Sequence, residues 1–67
     1  MYIFDNDKLK DFLQEAGLTQ HQLATKIDST PSAVSHYING TRTPHLNHFF
    51  KICSSLGVRP WDLIIKL

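Results

Sequence analysis

The feature that most constrains this fold is a pair of short helical patterns separated by the letters DSTP at positions 28–31. The first pattern begins at Thr19, and Gln22 stands three residues later, which is the spacing of a capping box. After the break, Thr30 is predicted to cap the second helix, because its hydroxyl can accept a free N–H of the first turn. Pro31 suits the first helical position, where its missing N–H costs nothing. The stretch therefore predicts two helices joined by a tight turn.

Further helices are predicted on both sides of this pair. Apolar residues at the helical spacing i, i+3, i+4 and i+7 precede it, namely Leu9, Phe12, Leu13 and Ala16. A fourth helix is predicted from Leu46, Phe49, Phe50, Cys53 and Leu56, and a short fifth helix begins at Pro60. We therefore expect an all-α fold of five helices in one domain, residues 1–67, with the helix-turn-helix at about 19–40. Whether the apolar ends MYIF and IIKL pair as strands is left open.

Composition places the chain among globular proteins and excludes several other classes. Hydrophobic residues make up 42% of the 67 positions, and no apolar run approaches the ~18 residues of a membrane span. Cys53 is the only cysteine, so an internal disulfide and a multi-thiolate metal site are excluded. The MYIF segment is followed at once by DNDK, which does not fit a signal peptide. We expect a cytoplasmic protein.

Charge is distributed unevenly along the chain, although its net value of +1 is too small to indicate a polyanionic partner. Between positions 16 and 51, Lys26, Arg42 and Lys51 stand against a single acid, Asp28. All four histidines fall in the same segment. The middle of the chain is therefore suited to face a polyanion, while the more acidic helix at its start faces water.

The predicted third helix has one apolar side and one polar side. Val34 and Tyr37, with Ile38 near them, form the side expected to meet the core. The opposite side carries Pro31, Ser32, Ser35, His36 and Asn39. Serine hydroxyls donate or accept hydrogen bonds, and a histidine ring nitrogen can donate to guanine N7 or O6. Short uncharged side chains of this kind favour reading bases in the major groove over contacting phosphates alone.

Taken together, LTQHQLATKI, TPSAVSHYINGTRTP and FFKICSSLGV resemble the lambda-repressor-like Cro/cI helix-turn-helix family, also called the xenobiotic-response-element family. The likeness covers about residues 8–64. It implies base contacts at Pro31, Ser32, Ser35 and His36. It implies contacts to DNA phosphates at Gln20, Thr30, Asn39, Thr41 and Arg42. It also implies a bacterial or phage protein acting at the nucleoid.

The sequence departs from the family pattern at several positions. Many members have Gln where Pro31 stands, and proline cannot make the amide contact to adenine. Many have Gly where Asp28 stands, although Asp tolerates the left-handed turn expected there. Leu13 and Ile38 replace an Arg and a Glu that form a buried ion pair in many relatives. Because apolar pairs can replace such ion pairs at little cost, we expect Leu13 and Ile38 to touch.

The resemblance implies a sequence-specific transcriptional regulator, by default a repressor, bound to double-stranded DNA at a pseudo-palindromic operator. A homodimer, at least on DNA, would place two recognition helices about one DNA turn apart. The expected dimer contacts are Trp61, Ile64, Ile65 and Leu67; alternatively, Trp61 or Ile64 packs inward and the tail frays. A second hypothesis keeps the fold as a protein-interaction module, such as an antitoxin or phage accessory factor. An apolar or acidic helix-turn-helix face would favour that second hypothesis.

Catalysis and cofactor binding are not expected. Ser35 and His36 are adjacent on a helix, point about 100° apart and cannot form a nucleophile–base pair. His45 and His48 have a possible metal-ligand spacing but no thiolate or suitable carboxylate beside them, so no metal is predicted. We expect His45 at the start of the fourth helix, beside the DNA backbone. No small-molecule ligand is evident from the sequence.

Overall fold

Four α-helices and one short 3-10 helix form the body of the protein, and a two-stranded ribbon joins its ends. The computed structural model describes all 67 residues. The elements are β1 (Tyr2–Phe4), α1 (Asn6–Ala16), α2 (Gln20–Lys26), α3 (Pro31–Asn39), α4 (Leu46–Leu56), the 3-10 helix (Pro60–Leu63) and β2 (Ile64–Lys66). None of the helices combines the length and apolar character needed to cross a bilayer.

The starts of α2 and α3 have the predicted capping chemistry. Thr19 Oγ1 accepts from the Gln22 N–H at 3.1 Å, and Gln22 Oε1 accepts from the Thr19 N–H at 2.9 Å. Thr30 Oγ1 accepts from the Ala33 N–H at 3.1 Å, with a proline in the first turn of α3. Asp28 adopts the left-handed conformation, with φ of 55°. These bonds satisfy N–H groups that a helix start leaves free, so they set where α2 and α3 begin.

The core lies between the helices and contains eleven buried apolar side chains. They are Leu9, Leu13, Leu23, Ala24, Ile27, Ala33, Val34, Tyr37, Ile52, Cys53 and Leu63. The predicted buried stripes are wrong at Ala16, Leu46 and Phe50, which are exposed. Because Ile52, Cys53 and Phe49 turn toward the core, Leu46 and Phe50 lie at the surface.

The prediction of an all-α fold of five helices is wrong, and the pairing of the two chain ends, which the sequence left open, is present. The last segment is a 3-10 turn whose start is closed by Asp62 Oδ2, which accepts from the Arg59 N–H at 2.9 Å. The chain then extends as β2 and pairs antiparallel with β1, with Phe4 opposite Ile64 and Ile3 opposite Ile65. The adjacent β-branched residues Ile64 and Ile65 favour an extended strand once a partner strand is available, and here the other end of the chain supplies it.

A long-range contact holds the end of α3 against the start of α1. Asn6 Nδ2 donates to the Ile38 carbonyl at 3.1 Å. Gly40 follows with φ of 77°, and a Cβ there would lie 3.3 Å from the Asn6 side chain. Leu13 and Ile38 line a common cavity between α1 and α3, while their direct contact stays a prediction. The apolar side of α3 is thus anchored, and its other side is left free.

Candidate nucleic-acid interface

The structure brings the four predicted base-contacting residues together on one side of α3. Pro31, Ser32 and His36 are exposed, and Ser35 is half-buried beside them. The opposite side of the same helix is buried, because Ala33, Val34 and Tyr37 belong to the core. A helix presented in this way can enter a DNA major groove, since its outer surface carries only short polar side chains and a proline ring.

Two of these side chains are held by neighbours within the helix and its loop. His36 Nδ1 lies 2.7 Å from Thr41 Oγ1, just beyond the end of α3. Asn39 Nδ2 donates to Ser35 Oγ at 3.4 Å. The Nε2 atom is therefore the His36 ring nitrogen without a partner in the protein. Sequence patterns did not predict the His36–Thr41 bond, because it depends on how the loop folds back at Gly40.

The predicted phosphate-contacting residues lie at the ends of α2 and α3, and all five are exposed. Gln20 is the first residue of α2, and Arg42 lies in the loop after α3. The Arg42 guanidinium carbon is 5.9 Å from the centroid of the Tyr37 ring. Thr30 and Thr41 differ from these two, because the Thr30 oxygen caps α3 and the Thr41 oxygen contacts His36. The donor groups of Gln20 and Arg42 are therefore freer than those of Thr30 and Thr41 to contact a phosphate.

The charge of this surface is weakly basic. Lys26, at the end of α2, and Arg42, in the loop after α3, are both exposed. The single acid of this part of the chain, Asp28, pairs with Lys51 at 3.4 Å. The face is neither apolar nor acidic, which favours a DNA partner over the protein-interaction hypothesis.

A histidine pair at the start of α4 lies next to this surface. His45 caps α4, because its Nδ1 accepts from the His48 N–H at 3.4 Å. The two rings stack with centroids 4.0 Å apart, and the Tyr37 hydroxyl lies 2.9 Å from His48 Nδ1. Burial lowers the pKa of His48, and the neighbouring His45, Lys51 and Arg42 lower it further. Nowhere do three or more possible His, Cys, Asp or Glu ligands cluster around a common point.

Sequence reasoning predicted His45 at the start of α4 but not the contact between Tyr37 and His48. A buried tyrosine usually finds a partner for its hydroxyl, so the predicted burial of Tyr37 was the available signal. Choosing among the polar residues of α4 would have required the crossing angle of α3 and α4, which the sequence does not supply.

The predicted dimer contacts lie in the 3-10 helix, in β2 and just after it. Ile65 and Leu67 are 38% and 68% exposed, whereas Ile64 is half-buried opposite Phe4. Trp61 is 66% exposed, and the Arg59 guanidinium carbon lies 5.7 Å from its ring centroid. Of the two residues in the alternative, Trp61 does not pack inward and Ile64 does so only in part, whereas Leu63 is fully buried.

A shallow apolar cavity of about 270 Å³ lies between the ribbon and the start of α4. Its lining residues are Tyr2, Ile3, Phe4, Thr43, Pro44, Leu46, Phe49 and Ile64. Of the four predicted dimer contacts, only Ile64 borders this cavity. The exposed positions of Leu46 and Tyr2 give it an apolar rim.

A helical body that presents the polar side of its third helix defines a helix-turn-helix protein. The helix-turn-helix family profile matches residues 9–62, and the chain belongs to this family, in its Cro/cI or xenobiotic-response-element form. The family comprises DNA-binding regulators and not enzymes. No curated relative matches the chain by sequence.

Solved structures share this fold over most of the chain. The restriction-modification controller protein C.AhdI from Aeromonas hydrophila is 24% identical, with a TM-score of 0.80 over 85% of this chain and 86% of its own. The clp gene regulator ClgR from Corynebacterium glutamicum is 23% identical, with a TM-score of 0.80 over 85% of this chain and 61% of its own. A candidate DNA-binding protein from Bacteroides fragilis is 25% identical, with a TM-score of 0.82 over 97% of this chain and 100% of its own.

Proposed function

We propose that this DNA-binding regulator is a repressor that binds a pseudo-palindromic operator as a homodimer, with α3 in the major groove. The observation that supports it best is the exposed polar side of α3, which contrasts with the buried apolar side formed by Ala33, Val34 and Tyr37. Occupying a promoter needs no second activity, so repression by steric exclusion is compatible with this small fold.

In this proposal, the residues on the outer side of α3 contact the bases. Ser32 and Ser35 carry hydroxyls that can donate to or accept from base edges. His36 offers its unpartnered Nε2 for one directional hydrogen bond. Pro31 has no side-chain donor or acceptor, so its contribution is apolar contact, for example with a thymine methyl group.

Phosphate contacts would position the helix rather than specify the sequence. Gln20 and Arg42 are the best suited, because the first offers an amide N–H and the second a guanidinium that can make charge-assisted bonds. Thr30 and Asn39 would add neutral hydrogen bonds from the two ends of α3. Few of these groups are charged, so the salt dependence of binding should be shallow for a DNA-binding protein.

The dimer surface in this proposal is the outer face of the β1–β2 ribbon. Residues directly opposite in an antiparallel pair share a face, and successive residues alternate between faces. Ile3 and Ile65 therefore lie on the face opposite the half-buried Phe4 and Ile64. The Leu67 N–H donates to the Met1 carbonyl at 2.8 Å, which extends the pairing and adds Met1 and Leu67 to the outer face.

All four residues of this outer face are apolar and exposed, at 85% for Met1, 44% for Ile3, 38% for Ile65 and 68% for Leu67. A contiguous exposed apolar strip is typical of an interaction surface. Two copies related by a two-fold axis can cover the strip with its own duplicate, because an isologous interface uses the same patch twice. Ile65 and Leu67 are retained from the sequence-based set, and Met1 and Ile3 are added to it.

Selection of bound duplexes from a randomised DNA pool tests the proposal. We expect an enriched palindrome for the wild-type chain and altered or weaker preferences for Ser35→Ala and His36→Ala. Ser54→Ala, an exposed serine on α4, is the matched control and should leave the enriched site unchanged. No enrichment at low salt would contradict DNA readout through α3 and would instead favour the protein-interaction module.

A further inference from the structure

Thr41 lies where it can control the ring of His36. The chain reverses at Gly40, whose φ is 77°, and the loop returns over the last turn of α3. The Thr41 N–H donates to the His36 carbonyl at 3.0 Å, and Thr41 Oγ1 lies 2.7 Å from His36 Nδ1. Backbone and side chain of Thr41 thus both contact one residue of the proposed recognition surface.

The direction of the hydroxyl–imidazole bond follows from how many donors already meet the His36 carbonyl. That oxygen accepts from the N–H groups of Gly40 and Thr41, and from that of Arg42 at 3.3 Å. The Thr41 hydroxyl is also within donor distance of that oxygen, at 3.3 Å, but there it competes with three N–H groups that already share two lone pairs. The Nδ1 atom at 2.7 Å is the closer acceptor, and its distance is typical of a hydroxyl donor.

A neutral imidazole carries one proton, so the nitrogen that accepts a hydrogen bond leaves the proton on the other nitrogen. We infer that Thr41 is a positioning residue that holds the imidazole of His36 in the tautomer protonated on Nε2. The Nε2–H group then donates to a hydrogen-bond acceptor in the major groove. This inference rests on the proposed function, because it concerns how the same surface discriminates among bases.

The base edge that fits such a donor is the one richest in acceptors. Guanine presents O6 and N7 in the major groove, whereas cytosine presents an amino donor at the matching position. His36 therefore selects guanine against cytosine at one position of the half-site. Thr41 supports that choice without touching DNA, which differs from the phosphate contact that the family resemblance assigned to it.

The surroundings of His36 contain little charge that would compete with this arrangement. His36 takes part in no ion pair, since the single ion pair of the structure joins Lys51 to Asp28. Arg42, the nearest charged residue along the chain, lies with its guanidinium carbon 5.9 Å from the Tyr37 ring. The hydroxyl of Thr41 is thus the one side-chain partner of the imidazole.

NMR of the DNA-free protein tests the tautomer directly, through long-range proton–nitrogen correlations within the imidazole ring at pH 7.5. We expect the wild-type chain and Thr41→Ser to show a bare Nδ1 and a protonated Nε2. Thr41→Val keeps the branched shape but has no hydroxyl, so its Nδ1 shift should move toward that of a mixture of tautomers. A wild-type ring protonated on Nδ1, or one indistinguishable from that of Thr41→Val, would overturn the inference.

A second experiment measures base preference on the selected operator, using duplexes substituted at the base pair whose recognition is lost in His36→Ala. Thr41→Val should lower the guanine preference at that pair by about threefold to tenfold, the range for one hydrogen bond, and leave the other positions unchanged. Thr41→Ser should restore it. Equal weakening on every duplex would show that Thr41 is a phosphate contact and would overturn the inference.

The two experiments separate this inference from the function on which it rests. If no duplex is enriched, the proposed function fails while the NMR result still reports the His36 tautomer. If the operator is bound specifically but Thr41→Val behaves as the wild type in both measurements, the proposed function stands and the role of Thr41 is overturned.

Discussion

The hydroxyl of Tyr37 lies 2.9 Å from Nδ1 of His48, and this bond joins α3 to α4. Tyr37 is 1% exposed, so its hydroxyl has little access to water if the bond is lost. We expect Tyr37→Phe to lower the free energy of unfolding by about 1 kcal/mol, the net value of one buried hydrogen bond. Urea unfolding at pH 7.5 measures this change.

Tyr2→Phe is the control for that substitution, because the Tyr2 ring is 66% exposed. It should change the free energy of unfolding by less than about 0.5 kcal/mol. Equal effects of the two substitutions would mean that the Tyr37–His48 bond does not stabilise the fold.

The pH dependence of stability should also report His48. Burial, followed by the charges of His45, Lys51 and Arg42, lowers its pKa, while Asp28 opposes the shift. A histidine with a lowered folded-state pKa binds protons more readily when unfolded, so the free energy of unfolding falls as pH drops below ~6.5. The decrease ends once pH is below the folded-state value, because both states are then protonated.

Urea unfolding between pH 7.5 and pH 5 follows this effect, with His48→Gln as the non-titrating variant. The amide oxygen of the introduced glutamine can still accept a hydrogen bond from the Tyr37 hydroxyl. We expect a flatter pH profile for His48→Gln than for the wild type. Identical slopes would assign the pH dependence to other groups.

The parts of the fold that the sequence predicted are those fixed by local chemistry. The Thr19–Gln22 capping box, the Thr30 cap and the left-handed Asp28 involve residues only a few positions apart. Whether the ribbon forms was left open, because its three-residue strands are stable only when the two ends of the chain meet. The predicted buried stripe of α4 wrongly included Leu46 for a related reason. Whether a residue is buried depends on how the helix is rotated against its neighbours.

The candidate site divides in the same way. The polar side of α3 follows from helical periodicity and is correctly placed. The bonds of His36 to Thr41 and of Tyr37 to His48 depend on a loop reversal and on helix packing, which residue types alone do not determine. Periodicity therefore shows which side of α3 faces outward, and tertiary contacts show how its side chains are held.

Arg42 should account for part of the salt dependence of DNA binding. Each phosphate neutralised by a basic residue contributes about 0.9 to the slope of log affinity against log salt. Arg42→Gln should weaken binding on all sequences and lower that slope by about one, because it removes one cation.

The control is Gln20→Ala, which should weaken binding without changing the slope, since an amide carries no charge. Fluorescence anisotropy over a salt series separates the two outcomes, and an unchanged slope for Arg42→Gln would place its guanidinium away from phosphate.

The outer face of the ribbon should control self-association. Ile65→Lys places a charge within the apolar strip of each copy, and two like charges would meet across a two-fold axis. We expect this variant to be monomeric in sedimentation velocity at concentrations where the wild type associates, with an unchanged helical circular dichroism spectrum. Lys66→Thr changes the adjacent residue on the other face of β2 and should leave association unaffected. A wild-type chain that is monomeric both free and on its operator would contradict the dimer.

Leu13 and Ile38 should be energetically coupled across the α1–α3 contact. Leu13 is 4% exposed, and both residues line the same cavity of about 230 Å³. Leu13→Arg alone places an unpaired charge at a buried position and should cost about 3 kcal/mol. Adding Ile38→Glu supplies the opposite charge, so the double variant should be more stable than the sum of the single effects by about 1 kcal/mol or more.

A double-mutant cycle by urea unfolding measures the coupling, and Leu13→Arg with Asn47→Glu on the exposed side of α4 is the additive control. Additive effects for Leu13 and Ile38 as well would mean that the two side chains do not face each other.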